Sequence, residues 1–204
     1  EHKNNICSEN KHNLKNKYTM KFAKIILVFT LLFTHNIFSQ EEPFLKNLNS
    51  LNFIEGSFST LVSFPNSNGA WQKPVESKFK FQKIMNNMFI QGDGLIPFDS
   101  TFSTNFRMIF DYDALNNVYR LVALDDSYGF MDIYYGHWKG NQLILTNEKT
   151  GTQVINEGNR VYGKLIITKS KKSGFIITAL VSQDNIKTWQ NYMKLEFSQM
   201  KKKM

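Results

Sequence analysis

From Ile54 onward, apolar and polar residues alternate along the chain with a period of two. Ile54, Phe58, Val62 and Phe64 share one parity, and Glu55, Ser57, Ser59 and Ser63 the other. The pattern sharpens over 75–81, where Val75, Phe79 and Phe81 oppose Glu76, Lys78 and Lys80. Such alternation predicts half-buried antiparallel strands, with one face on a core and one in water. Phe106, Met108, Phe110 and Tyr112 form another apolar face, and further strand patterns cover 118–124, 129–138, 142–146, 161–168 and 175–182. A last strand runs through Trp189, Met193, Leu195 and Phe197. The stretch 88–96 reads as a weaker strand with bulges expected at Gly92 and Gly94.

Turn-forming residues punctuate these runs at 113–117, 125–127 and 139–141, and a polar loop covers 147–159. Ahead of the strands, Phe44, Leu48 and Leu51 stand at helical spacing, which predicts a short helix or lid within 41–53. About ten strands with no helix between them exclude parallel βαβ units. The expected fold is all-β: an antiparallel up-and-down barrel over 54–198, with a two-sheet sandwich as the alternative. A ten-stranded barrel is wider than its own side chains readily fill, so an internal cavity is expected.

The N-terminal segment breaks the pattern. A basic start at Met20–Lys24 precedes the apolar run Ile25–Phe33, and 34–40 leads into Glu41 and Glu42. This order reads as a secretory signal peptide over 20–40, cleaved near Ser39, and the apolar run is too short to span a bilayer. Residues 1–19 read as an upstream extension without periodic pattern, and 199–204 as a basic tail. The expected location is therefore secreted or periplasmic, with no transmembrane span once the signal is removed. Without residues 1–40, Lys plus Arg falls from 25 to 19 and Asp plus Glu from 17 to 15, taking net charge from +8 to +4. That excess is too small to point to nucleic acid. Cys7, the single cysteine, also falls in the removed part, so the core alone must hold the exported domain.

Several short motifs occur in order. Tyr112-Asp113 forms a turn, Tyr119 follows the loop, and Asp125-Asp126 forms an acidic turn. Gly136-His137-Trp138-Lys139-Gly140 is a Gly-x-Trp-x-Gly hairpin, and Ile54–Phe58 is an opening strand. On these elements the chain resembles the bacterial family called domain of unknown function 1579. A Trp often stands in that family where this chain has Phe58. The resemblance covers roughly 45–198 and implies a lipocalin-like, calycin-type barrel. It implies no activity, because the family has no general assigned reaction.

Little in the mature chain points to catalysis or a cofactor. His137 is the one histidine past residue 40, and no cysteine accompanies it, which argues against structural zinc. Haem-binding nitrobindins are also calycin-type barrels, but the axial histidine expected near the C-terminal strands is absent. His137 shares its parity with Met131, Ile133 and Tyr135, so Tyr135 and His137 would face a ligand if that parity points inward. Paired aspartates at 111/113 and 125/126 lack an EF-hand pattern and read as turn formers. Arg107 and Arg120 would anchor an acidic headgroup only if they turned inward. The tip Lys169-Ser170-Lys171-Lys172 reads as a solvated charge run.

The expected interior is rich in Phe and Met: Phe58, Phe79, Phe81, Phe106, Met108, Phe110, Met193 and Phe197. Such residues build adaptable apolar pockets or a solid core equally well. The leading expectation is an exported, non-enzymatic barrel that binds a hydrophobic small molecule, such as a fatty acid or other lipid. The candidate ligand contacts are Phe58, Phe79, Phe81, Phe106, Met108, Phe110, Tyr135, His137 and Met193. A solid-core interaction module using Tyr134 and Tyr192 on its surface is the alternative. An enzyme using His137 with Asp132 or Tyr135 is the third reading.

Overall fold

The computed structural model describes residues 41–99, 101–170 and 173–200. The upstream extension, the signal segment, Lys171, Lys172 and most of the basic tail lie outside the described residues. Helix α1 (Glu41–Asn49) and a 3-10 turn (Asn52–Ile54) precede β1 (Gly56–Ser63), β2 (Val75–Ile84), β3 (Phe89–Pro97), β4 (Ser103–Asp113), β5 (Val118–Asp125) and β6 (Met131–Lys139). Then follow β7 (Gln142–Thr146), β8 (Val154–Asn156), β9 (Asn159–Lys169), β10 (Gly174–Ser182) and β11 (Gln190–Gln199).

All pairings are antiparallel. Strands β1 to β7 meander in chain order, β9 pairs with β7, β10 with β9, and β11 with β10 and back onto β1. The result is the closed ten-stranded barrel that the alternation predicts, and closure leaves no long unpaired edge. Strand β8, which the polar pattern of 147–159 does not suggest, pairs only with β9 and continues the edge of β9 that β7 vacates. A register shift between Ala179 and Leu180 leaves Tyr192 as an extra residue on β11, a bulge at the barrel rim.

The barrel has a closed end and an open end. At the closed end the turns are short; Asp113 Oδ1 accepts the backbone N–H groups of Leu115 (3.0 Å) and Asn116 (3.1 Å) and so shapes the β4–β5 turn. Helix α1 and the 3-10 turn seal this end with the buried side chains of Leu48, Leu51 and Ile54. Phe53 packs edge-on against Phe175 at 5.7 Å, and the Tyr119 hydroxyl donates to the Asn47 carbonyl at 3.2 Å. Below this cap, Phe58, Phe79, Phe81, Phe175 and Phe197 fill the bore; Phe175 and Phe197 stack at 4.2 Å and Phe58 meets three rings edge-on. Edge-on and offset pairs of this kind contribute about 0.5–1.5 kcal/mol each beyond area burial.

Gly92 and Gly94 differ from expectation. The register runs unbroken on both sides of β3, so neither glycine marks a bulge. Each instead lies opposite a large ring, Gly92 opposite Phe81 and Gly94 opposite Phe79. A Cβ on Gly92 would lie 2.1 Å from Phe81 Cε1, and one on Gly94 would lie 2.3 Å from Phe79 Cγ. The missing side chains are the space in which the rings lie. Glycine-to-alanine exchange in a strand ordinarily stabilises, but Gly92→Ala should destabilise by about 1–3 kcal/mol as an overpacking substitution. Urea denaturation of the purified protein checks this, and an unchanged midpoint would refute the packing account.

Candidate binding site

Beyond the phenylalanine cluster the side chains along the bore become small, and Ala123, Gly163 and Ala179 leave a cavity of about 690 Å³ at the open end. Its apolar wall comes from Ile96, Met108, Leu121, Ile177, Met193 and Leu195. Phe98, Phe102 and Tyr128 form an aromatic rim, with Phe98 stacked on Phe102 at 5.4 Å and Phe102 edge-on to Tyr128 at 6.3 Å. These rim residues are exposed, Tyr128 at 79%. The bulge at Tyr192 adds a further ring to the mouth.

One wall is polar. Strand β7 stops at Thr146, so Met131–Tyr134 of β6 and the part of β9 just before Lys164 lose β7 as a partner there. The connection after β7 takes over with side-chain hydrogen bonds. Asn147 Oδ1 accepts the Gly163 N–H at 2.7 Å, and Asn147 Nδ2 donates to Asp132 Oδ2 at 2.7 Å. Thr152 Oγ1 accepts the Ile133 N–H at 3.1 Å and donates to Asp132 Oδ1. Asp132 is 2% exposed, Asn147 1%. Tyr134, also buried, has its hydroxyl over Gly163, where a Cβ would lie 2.6 Å away. Burial first, then the charge of Asp132 and a hydrogen bond to it, push the Tyr134 phenol well above its usual value. The Tyr192 phenol is also raised, by burial and then by Asp125 and Tyr128.

The inward residues expected from the alternation are inward, but they divide into two groups. Phe106, Met108 and Met193 reach the cavity. Phe58, Phe79, Phe81 and Phe110 lie in the filled half, so they support the cavity and do not line it. Tyr135 and His137 are corrected: both point outward and are exposed. The pairings Tyr119 with Gly136, Leu121 with Tyr134 and Ala123 with Asp132 set the opposite parity of β6 inside. Tyr134, expected on the surface, is therefore an interior residue. Arg107 and Arg120 face outward, Arg107 against Asp93 and Arg120 against Asp111 and Asp113. Donating hydrogen bonds to Asp111 raises the Arg120 guanidinium further. Among the described residues no three His, Cys, Asp or Glu side chains gather to hold a metal ion.

Asn147 and Thr152 escaped the sequence reading because they lie in the segment read as a polar loop, Gly163 because it reads as an ordinary strand position, and Asp132 enters it only as a partner for His137. The signal that would have found them is Asp132, a charged residue on the parity shared by Tyr134 and Trp138. A shallower groove of about 620 Å³ runs outside β3–β5, but its polar side chains engage one another, Arg107 with Asp93 and Asn105 with Asp126. No protein-family model and no curated protein matches the chain.

The raised Tyr134 phenol has a consequence for alkaline stability. Above the ordinary value of 10, unfolded chains release this proton while the folded protein retains it, so stability is full below about 10 and falls as pH rises through the native value. Tyr134→Phe should flatten that alkaline loss and remove one late-ionising phenol from a spectrophotometric titration. A titration curve identical to that of the parent protein would refute the buried setting.

Proposed function

We propose that this protein binds a hydrophobic small molecule in the open half of its barrel. The observation that carries the reading is the cavity of about 690 Å³, closed below by packed phenylalanines and open through an aromatic rim. Pockets for small ligands occupy about 300–1,000 Å³ and are lined mainly by apolar side chains with few polar groups. The met-and-alanine wall fits molecules of varied shape, because methionine adapts to irregular surfaces. His137 lies on the outer face of β6 and Asp132 on the inner, so the two do not meet in this cavity. Lipocalin-like membership, on the resemblance to domain of unknown function 1579, agrees with the closed barrel. The signal-like segment at 20–40 makes the proposed carrier an exported one. Among the described residues no helix is long and apolar enough to cross a membrane.

The neutral fluorophore N-phenyl-1-naphthylamine tests the reading directly. Its emission should rise on binding the purified chain with one site per molecule. Ala123→Trp, which places a large ring in the cavity without enlarging the filled half, should weaken binding by about tenfold or more while leaving the melting temperature close to that of the parent. Native mass spectrometry followed by organic extraction should also reveal a co-purified apolar molecule. A clean mass together with no fluorescence response would overturn the proposal and favour a partner-binding role for Phe98, Phe102 and Tyr128.

A further inference from the structure

We infer that the cavity selects an apolar molecule with a cationic end, an alkyl amine in its simplest form, and discriminates against the fatty-acid carboxylate. This inference rests on the binding reading above. Among the described residues, Asp132 and Asp125 are the only carboxyls lining the cavity, and no Lys, Arg or His lines it. Asp132 is placed within the wall and not at the mouth, since it is 2% exposed. Its oxygens have obligate donors: Asn147 Nδ2 on Oδ2 at 2.7 Å and its neighbour's backbone N–H, Ile133, on Oδ1 at 2.9 Å. The orientation of the Asn147 amide is fixed, because its Oδ1 must accept the Gly163 N–H. Donors on both oxygens are the arrangement that a carboxylate accepts.

Among the described residues this carboxylate has no ion-pair partner, in contrast with Asp93, Asp111 and Asp113 on the outside. A buried anion without a cation is costly, and a ligand ammonium is the group that would complete it. Asp125 stands at the mouth with its Oδ1 held by the Ser127 and Tyr128 amides at 3.1 and 2.8 Å, so a second negative charge lies along the way in. A carboxylate-ended lipid would meet two like charges and no guanidinium. The Tyr134 hydroxyl, which lies against Asp132, supplies a neutral partner for a remaining ammonium hydrogen. The polar corner occupies one side of the cavity and the apolar wall of Met108, Ile177 and Leu195 the rest, which is the division an amphiphile requires.

Displacement of N-phenyl-1-naphthylamine from the full chain by decylamine, decanol and decanoate, at equal ionic strength near neutral pH, tests the inference. Chain length is constant across the three, so only the head varies. The whole chain carries net charge +8, so adventitious surface binding would favour decanoate, opposite to the expected order. Decylamine should displace the probe at about tenfold lower concentration than decanoate, with decanol between them. Asp132→Asn should shrink that ratio to near unity. Should Asp132→Asn fail to fold, Asp125→Asn, at the half-buried end of β5 where the amide oxygen can keep both backbone bonds, should reduce the ratio by a smaller factor. Decanoate equal to or better than decylamine, or a ratio unchanged in both variants, would overturn the inference while binding of the probe left the carrier reading standing. Failure of the probe itself to bind would remove both.

Discussion

The stacking of Phe175 on Phe197, with Phe58, Phe79 and Phe81 around them, decides how the interior of this barrel is shared between core and cavity. Ten strands enclose more volume than ordinary side chains occupy. Large rings meet this demand at one end, and they fit only because the residues opposite two of them are Gly92 and Gly94. Leu48, Leu51 and Ile54 then cap the rings from the helical segment, so the closed end buries a continuous apolar mass. The stability this supplies permits the other half to be lined by Ala123, Gly163 and Ala179 and left open. A binding cavity lowers stability relative to a packed interior. The aromatic half is what makes an open half tolerable in a disulfide-free domain.

The polar wall follows from a different constraint. A backbone N–H or C=O inside a barrel wall must have a partner. Where β7 ends at Thr146, the adjoining parts of β6 and β9 would face each other across a gap. Asn147 restores contact with β9 twice, since its N–H donates to the Gly163 carbonyl at 3.2 Å and its Oδ1 accepts from the Gly163 N–H at 2.7 Å. Thr152 does the same for Ile133 of β6. Asp132 holds Asn147 and Thr152 together, one with each oxygen. A buried carboxyl is thus present for a reason that begins with strand length.

Strand positions and closure were legible because the outer face of most strands is charged while the inner is apolar, as in Glu76, Lys78 and Lys80 against Phe79 and Phe81. Turn aspartates were legible too, since Asp113 and Asp125 bond backbone amides two and three residues ahead. Strand β6 was not. Its outer parity holds Met131, Ile133 and Tyr135, which is as apolar as its inner parity of Asp132, Tyr134, Gly136 and Trp138. Alternation says only that the two faces differ, and where both are mixed the pairing with β5 decides. The glycines of β3 misled for a related reason: a glycine opposite a ring and a glycine in a bulge look alike in one dimension. Which phenylalanines would fill the bore and which residues would leave it open depends on height along the barrel, a coordinate that a period of two does not carry.

The interior carboxyl has two duties that a simple deletion would confound. Removing Asp132 with its bonds would release Asn147 and Thr152 and loosen the wall between β6 and β9, so any loss of binding would be ambiguous. Charge and connectivity separate only when the shape is kept. An amide at 132 retains an acceptor for one of the two neighbours and removes the negative charge, whereas changes at Asn147 or Thr152 disturb the seam and leave the charge in place. A carrier whose recognition is electrostatic should respond to the first kind of change in its choice of ligand head. A barrel in which Asp132 is only a wall tie should respond to both kinds through stability alone.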